Sequence, residues 1–129
     1  MEKRFYQDID DYRNCMQLAV NVGKLVLYIN GLQLFCSVEN PGRSSIWHLE
    51  VYTRIAILPG FFWVALDMCM HDYVHPATGK AVQKAIDLLT NAPWLIPLGI
   101  KCNHKHEHTQ LEGQYISMSA EYPEVFCKR

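Results

Sequence analysis

The chain has 129 residues, half of them hydrophobic, with 12 Lys and Arg against 13 Asp and Glu and a formal net charge of −1. That length suits one domain spanning the whole chain, residues 1–129, with a core large enough to dispense with a disulfide or a structural metal. The nearly balanced charge, whose best basic runs are only Lys3-Arg4 and Lys128-Arg129, disfavours nucleic acid as a partner.

The N-terminal stretch is acidic and carries no apolar segment of the kind that opens a secretory signal, so export by that route is not expected. Five cysteines, Cys15, Cys36, Cys69, Cys102 and Cys127, form no CxxC pair, and their odd number suits free thiols in a reducing, cytoplasmic setting. The longest apolar run, Ile55 to Leu66, is broken by Pro59-Gly60 and falls short of the roughly 18 residues of a membrane span.

In chain order, Ile9, Tyr12, Met16 and Ala19 recur at intervals of three and four, which predicts a helix from Asp8 to Val22 ended by Gly23. Residues 23–39 then read as two β-rich runs joined by Asn30-Gly31, a dipeptide suited to a type I′ hairpin turn. From Ile46 to Leu58 the apolar residues Trp47, Leu49, Val51, Ile55 and Ile57 alternate with polar ones, predicting a half-buried strand. Residues 61–74 are apolar on most sides and predict a buried helix stopped by Pro76. Residues 77–92, with Thr78 as cap and a stripe of Val82, Ala85, Ile86 and Leu89, predict an amphipathic helix. Two further strands are expected over residues 94–110 and 114–122. The order αβββααββ implies an α+β domain: an antiparallel sheet of about five strands covered on one face by two to three helices.

The chemistry concentrates in Cys102-Asn-His-Lys-His-Glu-His108. On an extended strand His104, His106 and His108 share a face. His104 and His108 would then stand about 13 Å apart at roughly 3.3 Å per residue, so one ion cannot use all three. Further ligands would have to come from the predicted helix, where Asp67 and His71 are spaced i, i+4. Asp67, His71, His104 and His106 are therefore the candidate ligand set, suited to zinc, manganese or iron and to a metal-dependent hydrolase. The competing reading makes the histidines a solvated strand face that needs no cofactor, since their spacing matches no established metal signature.

No G-x-S-x-G elbow and no phosphate-binding loop is present, which leaves nucleophilic and nucleotide chemistry without a motif. Three tryptophans, seven tyrosines and five phenylalanines are ample for one core and for an interface. Trp47 and Trp63 are expected inside. Trp94, between two prolines, and Tyr115, on the last predicted strand, are the candidate contact residues. The expectation is a protein-binding adaptor, chaperone or inhibitor that pairs with a second copy of itself, with the hydrolase as the alternative.

Overall fold

The computed structural model describes residues 2–120 and 122–128, with the side chains of residues 1–6, 117–121, 125 and 129 outside the description. The chain is mixed α+β. Helix α1 runs from Glu2 to Gly31, α2 from Glu50 to Ala56 and α3 from Glu124 to Cys127. Strands β1 (Ser37–Pro41), β2 (Phe62–Asp67) and β4 (Ala85–Thr90) form an antiparallel sheet in the order β1-β4-β2, while β3 (Ala81–Val82) and β5 (His108–Thr109) make a short parallel pair. Much of the remainder is 3₁₀ turn, at residues 45–48, 68–71, 93–98 and 113–120.

The first helix follows the predicted stripe but does not stop at Gly23. That glycine is a packing site: a Cβ built there would lie 2.6 Å from Val51 Cγ1 on α2, so the two helices meet through its missing side chain. The expected hairpin at Asn30-Gly31 is instead the last turn of α1. Gln33 takes a left-handed backbone, φ 59°, with its N–H on the Asn30 carbonyl and the Leu34 N–H on the Ile29 carbonyl. That pair of bonds is a Schellman closure, which satisfies the end of the helix without a strand to follow.

Five other expected elements change type; the strand expected over 94–110 opens as the 3₁₀ turn at 93–98 and keeps only β5 as strand. The predicted strand over 46–58 is a 3₁₀ turn capped by the Ser44 hydroxyl, followed by α2, and its buried residues Tyr52 and Ile55 follow the helical spacing. The predicted helix over 61–74 holds β2 followed by a 3₁₀ turn, and that over 77–92 holds β3 and β4. Val64 and Leu66 alternate inward on β2, whereas Ile86, Leu88, Leu89 and Thr90 are all buried because β4 is the central strand. An apolar run buried on both faces carries no period, and helix and strand then look alike in sequence. The strand expected over 114–122 is a 3₁₀ helix as far as Ala120; Glu121 lies outside the described residues.

Two apolar clusters flank the sheet. On one side Val26, Val38, Trp47, Tyr52, Ile55, Phe61 and Leu89 pack beneath α1 and α2. Buried Tyr52 also gives its hydroxyl proton to the Ala19 carbonyl at 2.6 Å, tying the helices together. On the other side Val64, Leu66, Met68, Tyr73, Val82, Ile86, Leu88 and Leu98 are covered mainly by turns and loops. No helix among the described residues is long and apolar enough to cross a membrane.

Candidate metal centre

The end of β2 and the loop returning to β5 build one polar site. Beyond Asp67 the chain turns through residues 68–71, anchored by the Asp67 N–H on the Ile100 carbonyl and the Met68 N–H on the Lys84 carbonyl. This turn carries Cys69. Opposite it, Cys102 is fixed by its own N–H, which donates to Asp67 Oδ2 at 2.7 Å, and Lys101 Nζ lies 3.5 Å from the same oxygen.

The segment after Cys102 is not extended. Asn103 Oδ1 accepts from the Lys105 N–H, and His104 sits in the left-handed region at φ 57°, where its N–H donates to Cys102 Sγ at 3.3 Å. This local turn defeats the strand assumption: the short Asn side chain offers the backbone a partner that a ladder would otherwise supply. The chain therefore doubles back and brings His106 and His108 to the cysteine.

Cys69, Cys102, His106 and His108 result as one half-buried group whose ligand atoms all lie within 4.8 Å of one another. Cys102 Sγ is 3.6 Å from His106 Nε2 and 3.4 Å from His108 Nε2, and the two Nε2 atoms are 3.0 Å apart. Tetrahedral zinc, with sulfur at about 2.3 Å and nitrogen at about 2.0–2.1 Å, requires S···N separations of about 3.5 Å and N···N separations of about 3.3 Å. The observed distances fall close to that figure. Burial pushes the Cys69 thiol up to about 12, helped by its hydrogen bond to Cys102, the charge on that sulfur and the Asp67 carboxylate. A bound cation reverses this, because a coordinating thiol gives up its proton.

Of the residues expected as ligands, His106 alone is in the cluster. His71 is fully buried, with Nε2 3.0 Å from the Leu98 carbonyl and its ring edge-on to Phe126, so it serves the core. Asp67 acts on Cys102 through the backbone N–H, and His104 contributes its own N–H to the Cys102 sulfur. Both are hydrogen-bond supports of a ligand, the kind of partner that tunes metal affinity. The two cysteines and His108 were missed as a set. Their joint signal, Cys102-x₃-His106-x-His108, was in the sequence, but the fourth ligand stands 33 residues earlier.

The aromatic expectations divide. Trp47 is buried and meets both Tyr52 and Trp63 edge-on, but Trp63 is half-exposed rather than core. Trp94 is exposed and stacks edge-on with exposed Phe35 at 4.5 Å, while Tyr115 is half-buried against the His75 ring. No family model, characterised protein or solved structure matches the chain.

Proposed function

We propose that this chain is a zinc-binding protein whose metal is structural, and that it acts by binding another macromolecule, as an adaptor, chaperone or inhibitor, rather than by catalysis. The observation that carries the metal is the convergence of two sulfurs and two imidazole nitrogens within 4.8 Å. Two thiolates with two imidazoles favour zinc over manganese, which prefers oxygen ligands. Four protein ligands also fill a tetrahedral shell, whereas a hydrolytic zinc keeps one position for water. The hydrolase reading loses support for that reason, and because His71 and His104 do not bring ligand atoms to the group.

The binding role draws support from the exposed pair Phe35 and Trp94, which stand beside each other at the end of the sheet where β1 begins and β4 finishes. Aromatic side chains left in water at a fixed geometry are favoured anchors for a partner.

Elemental analysis of untagged protein, purified without chelator, tests the metal. The expected result is close to one zinc per chain and a lower melting temperature after chelation. Protein that is folded, metal-free and indifferent to added zinc overturns the reading.

A further inference from the structure

A second face of α1 carries a pattern of its own. Beside the stripe that packs on the body through Ala19, Gly23 and Val26 lies another, Cys15, Leu18, Val22, Leu25, Ile29 and Leu32, at intervals of three and four throughout. In heptad terms Cys15, Val22 and Ile29 occupy the a positions and Leu18, Leu25 and Leu32 the d positions. β-Branched residues at a with leucine at d are the combination that favours two parallel strands over three or four.

All of these residues but the half-buried Ile29 are left exposed by the fold. Leu18 is 65% exposed, Leu25 54% and Leu32 53%, and Val22 is 37% exposed, on a helix whose other stripe is already in contact with α2. Isolated exposed leucines need no explanation, but a row along about 25 Å of helix does. We propose that this row is a dimer seam, occupied by α1 of a second copy lying parallel to the first.

Three features select a second copy over other occupants. The pattern is self-complementary in a two-fold pair, each a and d residue facing its own twin. The flanking positions are uncharged, Asn14, Asn21 and Tyr28 on one side and Ala19 and Val26 on the other, so two identical copies meet without like-charge repulsion. The preceding a and d positions hold Asp8 and Asp11, whose charges would oppose their twins and so mark where the seam stops. The N-terminal part of the row is also open to solvent. Cys15, Leu18 and Val22 form one wall of an open groove of about 380 Å³ whose far wall is Val38, Glu39 and Asn40 of β1. The seam and the α2-packing stripe are one residue apart, about 100° around the helix, so a second helix can lie on the first without displacing α2.

The test uses the full chain. Analytical ultracentrifugation at micromolar concentration should give twice the 14.9 kDa chain mass. Leu25→Glu and Leu25→Lys should each yield folded monomers, with unchanged circular dichroism because Leu25 is exposed in the single chain, and mixing the two variants should restore the dimer. Under mild oxidation a Cys15–Cys15 disulfide should link the parallel pair, and Cys15→Ser should abolish it. A monomeric wild type, or Leu25 variants that remain dimeric, overturns the seam. Dimers in which Cys15 cannot be cross-linked overturn the parallel arrangement, since antiparallel helices would set the two thiols about 25 Å apart.

Discussion

The two sides of the sheet are built by different means. On the side of α1 and α2, helices seal the cluster around Tyr52, Ile55 and Leu89, and regular hydrogen bonding satisfies the covering backbone. On the other side the cluster around Leu66, Met68 and Ile86 is covered by 3₁₀ turns and a pair of two-residue strands, whose backbone groups find partners one by one across loops. Both sides bury fully enclosed side chains, so apolar burial alone does not separate them. What separates them is the cover. A helix holds itself together, whereas the segment from Ile100 to His108 needs an external clamp, and Cys69, Cys102, His106 and His108 stand where a clamp would tie the turn after β2 to the approach to β5.

The sharpest way to break this comparison is to remove the clamp. Cys102→Ser should abolish zinc binding and lower the melting temperature more than any other single change named below, because structural zinc contributes folding free energy directly. The loss should be local: amide exchange should accelerate across residues 68–71 and 100–109 while residues 19–30 and 50–56 keep their protection. Acceleration spread evenly over both sides would show that they fold as one unit with no separate need for metal.

The two states should also differ in the sign of their pH dependence. With zinc bound, the ligands must be deprotonated, so affinity falls as pH falls, by about tenfold per unit for each proton displaced. Without zinc, the Cys69 thiol is held above its ordinary value of 9.0, up to about 12. Its contribution to stability is then complete below about pH 9 and is lost as pH rises toward 12. Melting curves across pH, with and without chelator, should therefore bend in opposite directions.

The helical side is broken at a different point. Gly23→Ala places a methyl 2.6 Å from Val51 Cγ1 and should cost about 1–3 kcal/mol by overpacking, partly offset by up to about 1 kcal/mol of better helix propensity. Urea unfolding measures the net, and the double variant Gly23→Ala, Val51→Ala should recover most of it. A stabilised single variant would show that α2 yields freely and that the helical cover is the looser of the two.

Legibility from sequence follows the same division. The stripe Ile9, Tyr12, Met16 and Ala19 predicted α1 through its helical period, although Tyr12 on it is 62% exposed and the face that packs on the body runs through Ala19, Gly23 and Val26. Gly23 misled because its role is contact with Val51, a residue 28 positions later, and Asn30-Gly31 misled because the dipeptide suits a helix end as well as a hairpin. The mixed α+β character was readable; the strand order was not. Strand β4 is buried on both faces, and its Ile86 and Leu89, with Val82 before them, happen to fall at helical spacing. At the candidate metal centre the histidines are conspicuous in the sequence, but their geometry depends on the Asn103 turn and the left-handed His104, which place His106 and His108 beside Cys102. Sequence spacing gives the reach of a strand and says nothing of a chain that turns back.

The smallest expected effect concerns what else joins β5 to its neighbour. Lys80 Nζ lies 3.2 Å from Glu107 Oε2, one residue before β3 and one before β5, and looks like a staple across the parallel pair. Both side chains are largely in water, 54% and 82% exposed, and such pairs contribute between about 0 and 1 kcal/mol because screening and side-chain ordering consume most of the attraction. The pair β3–β5 is itself two residues long, with the Gln83 N–H on the Thr109 carbonyl as its continuation. If zinc is the clamp, Lys80→Ala should shift stability by no more than about 0.5 kcal/mol in the metal-loaded protein, and raising the salt concentration should leave the melting temperature nearly unchanged. In the chelated protein the same substitution should matter more, because β5 then depends on the contacts that remain. A Lys80→Ala variant that loses more than 1 kcal/mol with zinc bound would move the clamp from the metal to the surface pair, and with it the reason the loop side can do without helices.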